Sequence, residues 1–250
     1  MNIKGLLTHI DTFAPFSLAE AWDNSGLMVG NINAEVKRIA VTLDAVSDAV
    51  VSASEQGCNV LVCHHPLIFR PLKHVYTDEE TGNTIAEAIR REVNIIAAHT
   101  NWDKAPGGVN DTLAALLGLQ DVEPLTENFG VCGISPEGLT PERIKSSWQL
   151  SRLDIYTEDM PEKISRIALC GGSGAEFWRA AQIWGADIYI TADMKYHELI
   201  DATRAGMTIA LIDHGEMERA SLPELARKIS LSGIDTVLID VKALTAPLRT

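Results

Sequence analysis

The chain alternates between short apolar runs typical of β-strands and longer segments with the periodicity of amphipathic helices. Several of the apolar runs are continuous, a pattern expected where helices cover both faces of a sheet. The pattern predicts strands at residues 38–43, 59–63, 93–98, 130–134, 152–157, 166–170, 187–191, 208–212 and 236–239. It predicts helices at residues 47–56, 84–91, 175–184, 196–205 and 223–231. We therefore expect an α/β fold.

The two halves of the sequence resemble each other. Residues 38–41 (RIAV) align with residues 166–169 (RIAL), and residues 59–62 then align with residues 187–190 without a gap. Because order, length and chemistry all match, the repeat favours two similar three-layer α/β/α domains related by internal duplication. We place the first domain at residues 1–124 and the second at residues 125–250. The last strand, residues 234–240, is a candidate to pack back on the first domain.

Composition narrows the class of protein. With 46% hydrophobic and 22% charged residues, the chain is expected to be globular rather than disordered. Its formal net charge of −13 disfavours general binding to nucleic acid or anionic membranes. No apolar run approaches the ~18 residues of a membrane span, and the N-terminal apolar stretch is too short for a signal peptide. Four cysteines without a C-x-x-C pair predict buried thiols in a reducing compartment, so we expect a cytoplasmic protein.

Candidate chemistry concentrates where predicted strands end, which is the edge at which α/β sheets bind ligands. His64 and His65 close one strand, and Pro66 restricts His65 to an extended backbone. Adjacent strand residues point to opposite sides, so two ions between the rings would suit the pair better than one ion. The alternative is a solvent-exposed histidine pair that merely ends a strand.

Two further segments carry ligand-type side chains. His99 and Asp103 follow the strand at residues 93–98, and Asp103 offers a hard oxygen to a divalent ion, unless it only caps a helix or turn. His214 and Glu218 follow the strand at residues 208–212 and would share one face if the chain turns helical there. The alternative is an ordinary helix N-terminus in which Asp213 is the cap.

These segments together predict a metal site between the two halves, with His64, His65, Asp103, His214 and Glu218 as ligands. Five nitrogen and oxygen ligands without a thiolate suit zinc, iron, manganese or nickel. Two carboxylates and two divalent ions leave a net positive centre that attracts a small anionic substrate. Paired ions of this kind activate water in hydrolytic reactions.

The sequence resembles the GTP cyclohydrolase I type 2 family, also called the NGG-interacting factor three-like family, over essentially its whole length. The resemblance lies in five motifs and the final ligand pair: residues 22–27 (WDNSGL), 64–67 (HHPL), 99–103 (HTNWD), 171–174 (GGSG), 191–197 (TADMKYH), and His214 with Glu218. It implies two similar α/β domains, a dinuclear metal site on the same five ligands, and a ring-shaped homohexamer. The Gly-Glu-Met that follows His214 departs from the family, which affects neighbouring specificity contacts rather than the two ligands.

The leading functional hypothesis is a dinuclear metal-dependent hydrolase. The family resemblance suggests ring opening of a purine nucleotide such as GTP by metal-bound hydroxide, with His99 as candidate general acid and base. The alternatives are a metal storage, delivery or sensing protein and a ring-shaped interaction scaffold. Two other motifs keep two interpretations each: residues 171–174 as a phosphate-binding loop or a tight turn, and the Trp22 loop as a base-contacting wall or a packed turn.

Overall fold

The computed structural model describes residues 1–127 and 129–241, which form two compact units. The first unit contains Met1–Ala105 together with the described chain from Leu222 onward, and the second contains Pro106–Ser221. These bounds differ from the sequence-based division near residue 125. They differ because residues 109–117 form a helix that packs on strands of the second unit, while the final described strand pairs with a strand of the first.

All nine strands that the sequence pattern predicted are present. Residues 1–127 and 129–241 contain eleven: β1 Gly26–Val29, β2 Ile39–Asp44, β3 Val60–His65, β4 Asn94–Ala97, β5 Gln120–Pro124, β6 Val131–Leu139, β7 Asp154–Tyr156, β8 Ile164–Ser173, β9 Ile188–Ala192, β10 Ile209–Leu211 and β11 Thr236–Leu238. The pattern did not predict β1 or β5. Every residue of β5 is exposed, so this strand has no buried face to leave a hydrophobic pattern.

Helices include the five predicted ones and several that the pattern did not reveal. The same described residues contain α1 Ile3–Phe13, α2 Ser47–Glu55, α3 Glu80–Arg90, α4 Thr100–Lys104, α5 Val109–Leu117, α6 Pro141–Ser147, α7 Trp178–Trp184, α8 Tyr196–Arg204, α9 His214–Arg219 and α10 Leu222–Ser230. Helix α1 is capped at its N-terminus by Asn2, whose side chain accepts a hydrogen bond from the Gly5 amide at 2.9 Å. It buries Ile3, Leu6 and Ile10, which lie on one face at helical spacing.

The first unit is built on a five-stranded sheet in the order β1-β4-β3-β2-β11. All neighbours are parallel except β1, which runs antiparallel to β4 at one edge. Helices α2 and α3 pack on one face around Leu61 and Ile95. Helix α10 packs on β2 and β11 and also contacts α1. The carboxyl ends of β3 and β4 therefore emerge side by side, carrying His65 and the segment that begins at His99.

The second unit is built on a six-stranded mixed sheet in the order β5-β6-β8-β9-β10-β7. Its centre, β8-β9-β10, is parallel, and β5, β6 and β7 pair antiparallel around it. Helices α7 and α8 pack on one face around Tyr189 and Ile209, while α5 and α9 contact β8. Helix α9 follows β10 directly, so His214 lies at the carboxyl end of a parallel strand.

The two parallel cores share a register. In the first unit Ile39 pairs with Val60, and in the second Ile167 pairs with Ile188. These are the positions that the sequence repeat aligns with one another, so the register is consistent with the predicted duplication. The α/β prediction is confirmed. None of the helices in residues 1–127 and 129–241 has the length and apolar character needed to cross a lipid bilayer.

Candidate metal centre

Three histidines of the first unit converge at the carboxyl ends of β3 and β4. His64 and His65 are the last residues of β3, and His99 precedes α4 directly. The His64 ring centroid lies 5.1 Å from that of His65 and 5.3 Å from that of His99. One ring nitrogen from each of the three lies within 4.8 Å of the others, so the group could hold a metal ion. The alternation expected for adjacent strand residues does not keep the His64 and His65 rings apart at this strand end.

Hydrogen bonds fix which nitrogen each ring of the His64–His65 pair presents. His64 Nδ1 lies 2.9 Å from the Ala98 carbonyl oxygen, and His65 Nδ1 lies 2.7 Å from Asp44 Oδ1. A carbonyl or carboxylate oxygen accepts only, so Nδ1 carries the proton and the lone pair is on Nε2. Donation from the second nitrogen to an oxygen is the usual arrangement of metal-binding histidines. The pair therefore fits a divalent ion bound through Nε2.

His99 is held by a buried carboxylate. Its Nδ1 lies 2.7 Å from Asp23 Oδ1, and the Asp23 side chain is completely buried. Burial raises the pKa of Asp23, but hydrogen bonds from His99, Thr100 and Ser25 outweigh it and lower the pKa well below its usual range. Asp23 is therefore a fixed negative charge that orients the His99 ring.

Asp103 lies in α4 on the same side as His64. Its Oδ1 is 3.5 Å from His64 Nε2, and its side chain is only 10% exposed. His99, not Asp103, occupies the N-cap position of α4. The first unit thus places a carboxylate oxygen next to the nitrogen that His64 presents.

The second unit contains the other predicted ligand pair. His214 and Glu218 lie one turn apart on α9, and His214 Nε2 is 3.1 Å from Glu218 Oε2. Glu218 is 3% exposed. The capping alternative also holds, because the Asp213 side chain accepts a hydrogen bond from the Glu216 amide at 2.9 Å. The cap and the ligand pair therefore coexist in one short helix.

Asp193 orients His214 in the same manner. Its Oδ2 lies 2.5 Å from His214 Nδ1 and 2.8 Å from the Ser173 hydroxyl. Burial raises the pKa of Asp193, and the hydrogen bonds from His214 and Ser173 lower it further than burial raises it. With Nδ1 donating to Asp193, Nε2 is the His214 nitrogen that could bind a metal ion, and it lies next to Glu218 Oε2.

Residues 171–173 are the end of β8 rather than the tight turn of one interpretation, and two amides of the 171–174 segment bind within the fold. The Gly171 amide donates to Asn110 Oδ1 at 2.8 Å, and the Gly174 amide donates to Thr191 Oγ1 at 3.0 Å. Gly172 has a φ of +66°, and a Cβ added there would lie 2.3 Å from Glu218 Oε1. Glycine at this position therefore makes room for the Glu218 carboxylate.

Sequence reasoning missed the carboxylate partner of His65, and it quoted Asp193 only as part of a motif. Asp44 ends β2 beside β3, and Asp193 follows β9 beside β10. In each case the aspartate precedes its histidine by 21 residues and lies on the neighbouring parallel strand. An aspartate and a histidine at the ends of consecutive strands could therefore have predicted these hydrogen bonds from the sequence.

Cys63 is not part of the metal group. It is completely buried in the core of the first unit, and its thiol donates to the Ile96 carbonyl at 3.4 Å. Burial raises the pKa of the Cys63 thiol to about 12, so it stays protonated and packs as an apolar side chain. All four cysteines are buried free thiols, as the sequence predicted.

Comparisons with known proteins agree with the motif-based resemblance. The family model for Duf34/NIF3 (NGG1p interacting factor 3) matches residues 1–245. A Clostridium perfringens protein named GTP cyclohydrolase 1 type 2 homolog is 34% identical, and the match covers 92% of this chain and 91% of that protein. A Lactococcus lactis protein of the same name is 37% identical, with 83% of each chain covered. The crystal structure of a Bacillus cereus protein related to NIF3 superposes with a TM-score of 0.90 at 23% identity, covering 100% of this chain and 99% of that one. The chain therefore belongs to the DUF34/NIF3 family.

Proposed function

We propose that this protein is a metal-dependent hydrolase whose centre binds two divalent ions through His64, His65, Asp103, His214 and Glu218. The observation that carries the proposal is the anchoring of each histidine ligand through Nδ1 to a carbonyl or carboxylate oxygen. Such anchoring fixes the tautomer and ring orientation before any metal arrives. Zinc, iron, manganese and nickel all accept this ligand set.

The substrate that we propose is a purine nucleotide, opened at its imidazole ring as in GTP cyclohydrolase chemistry. The name shared by the Clostridium and Lactococcus relatives supports this choice. Charge supports it too: the two ligand carboxylates carry −2, two divalent ions carry +4, and the remaining positive charge attracts phosphate oxygens. An otherwise acidic protein, with a net charge of −13, would thus bind an anion at one place.

Divalent ions in such a centre supply activated water and polarise the atom that the water attacks. His99 is then suited to proton transfer. Its ring is held through Nδ1 by Asp23, which leaves Nε2 as the atom that takes up and releases a proton. Ring opening adds one water to the carbon between the two imidazole nitrogens and breaks one carbon–nitrogen bond, which leaves a formamide. A second water cleaves the formamide and releases formate, and each departing nitrogen must receive a proton. We assign that delivery to His99.

Formate release from GTP tests the proposal. The protein, loaded separately with zinc, manganese, iron or nickel, should release formate, and Glu218→Gln should bind less metal and lose turnover while its circular dichroism is unchanged. Glu216→Gln is the matched control on the same helix, because the Glu216 carboxylate accepts from the Ser151 amide instead. Absence of formate with every metal, or full turnover in Glu218→Gln, would refute the hydrolase. Tight, chelator-exchangeable metal without formate would favour a storage or delivery role.

We propose a homohexameric ring, as the family resemblance implies, in a reducing cytoplasm where the buried free thiols persist. Light scattering on the eluting protein gives the mass of the assembly. A monomer at micromolar concentration would contradict the ring.

A further inference from the structure

We infer that Trp22 and Phe69 form a stacking subsite for the planar heterocycle of the substrate. The inference rests on the proposed function, because it assigns one part of the proposed nucleotide to one part of the first unit. It adds which end of the nucleotide these residues bind: the base, by its flat face, rather than the phosphates.

The two rings are exposed and adjacent. The Trp22 side chain is 58% exposed and Phe69 is 45% exposed, and their ring centroids lie 5.7 Å apart. Each centroid also lies 6.2 Å from the ring of His99. Since His99 is itself 5.3 Å from His64, the aromatic pair continues directly into the histidine group. A ligand lying on Trp22 and Phe69 would therefore extend toward those ring nitrogens.

Hydrogen bonds made by their loops hold these exposed rings in place. Asp23, next to Trp22, accepts hydrogen bonds from Ser25 and Thr100 in addition to His99. The neighbouring Asn24 donates from Nδ2 to the Ile68 carbonyl at 2.5 Å, which ties the Trp22 loop to the residue before Phe69. The two aromatic side chains are thus positioned by polar contacts on their loops rather than by burial in a core. Positioning of this kind reduces the entropy lost when a ligand binds.

The size and surroundings of the pair favour a single flat ring system. Two aromatic side chains offer enough area to stack one base, and stacking on aromatic residues is a general mode of base recognition. The adjacent histidine nitrogens favour a ligand whose ring edge carries nitrogen or oxygen atoms. A purine meets both requirements, whereas a sugar phosphate without a base has no flat aromatic ring to stack. We therefore assign the Trp22–Phe69 pair to the heterocycle of the substrate.

Binding of guanosine 5′-monophosphate and ribose 5-phosphate to the zinc-loaded protein tests the inference. Calorimetry should show binding of the nucleotide and at least about tenfold weaker binding of ribose 5-phosphate. Trp22→Ala and Phe69→Ala should each weaken nucleotide binding by about tenfold. Trp22→Phe should keep most of the affinity but lose the quenching of tryptophan fluorescence that stacking on Trp22 produces. Tyr196→Ala, which removes a 73% exposed ring far along the chain, should change neither signal.

Three results would overturn the subsite. They are equal affinity for ribose 5-phosphate, wild-type nucleotide affinity in a Trp22→Ala protein with native circular dichroism, and a changed assembly mass in that variant without a change in affinity. The last would mean that a second copy covers the pair. Formate measured in the same samples separates the two proposals. Base-dependent binding without formate release would support the subsite and refute the hydrolase. Formate release together with unchanged nucleotide affinity in Trp22→Ala would support the hydrolase and refute the subsite.

Discussion

Replacing Gly172 by alanine should move the Glu218 carboxylate. The loss in the free energy of unfolding should be little more than the cost of holding alanine in the left-handed conformation. A Cβ at residue 172 would lie 2.3 Å from Glu218 Oε1, whereas ordinary contact begins at 3.4 Å. The oxygen must therefore move by about 1 Å, about twice the ~0.5 Å tolerance of a well-ordered binding site. Because it is the end of a flexible side chain, the movement itself is inexpensive.

The cost to stability can be predicted with a matched glycine. Gly172 has φ +66° and Gly206 has φ +84°, and no heavy atom lies within 4 Å of a Cβ at residue 206. At either position alanine must adopt the left-handed conformation, which costs about 1–2 kcal/mol. We therefore expect similar losses in the free energy of unfolding from Gly172→Ala and Gly206→Ala, measured by urea denaturation of the metal-free proteins.

Metal affinity should distinguish the two variants. Zinc binding, measured by competition with a chromogenic chelator, should weaken by about 10–100-fold in Gly172→Ala and stay unchanged in Gly206→Ala. Equal zinc affinity in the two variants would refute the reasoning that Glu218 Oε1 binds metal where the structure places it. A much larger loss of stability in Gly172→Ala than in Gly206→Ala would show instead that the Glu218 carboxylate cannot move away from the added Cβ.

Substitutions at three other positions test the site and the fold. Asp44→Asn removes the carboxylate that orients His65 at 2.7 Å and should weaken zinc binding by about 10–100-fold with little change in chemical denaturation of the metal-free protein; unchanged zinc affinity would deny Asp44 its orienting role. The completely buried Trp102 ring fills core volume, so Trp102→Ala should cost about 3–5 kcal/mol in urea and Trp102→Phe much less, an ordering whose reversal would contradict the packing argument. Gly30→Ala would place a Cβ 2.2 Å from buried Asn94 Oδ1 and should lower the melting temperature, and a wild-type melting curve would contradict that close approach.

The sequence predicted those parts of the fold that bury one side of a local segment. The apolar runs of β3 and β4 marked both strands, and the polar residues after them marked the site edge. The exposed strand β5 gave no such signal, because it is held by pairing with β6 rather than by burial. Helix α1 did carry a signal, since Ile3, Leu6 and Ile10 share a face, yet the pattern went unrecognised.

The ligands of the site were predicted from the sequence, but the residues that support them were not recognised. His64 and His214 stand at strand ends, where spacing alone makes them candidates. The equal spacing of Asp44 with His65 and of Asp193 with His214 was a signal in the sequence, whereas the room that Gly172 leaves for Glu218 depends on strand neighbours that only the folded chain defines. Interactions between distant parts of a chain leave no periodic trace in sequence.

The discontinuity of the first unit sets an order for folding during synthesis. Residues 106–221 are contiguous and can fold as they leave the ribosome. The first unit must wait, because α10 and β11 are the last described elements to emerge and β11 pairs alongside β2. Until then β2 is an open sheet edge, available for pairing with other nascent chains. Translation that stops before Leu222 would leave that edge permanently uncovered.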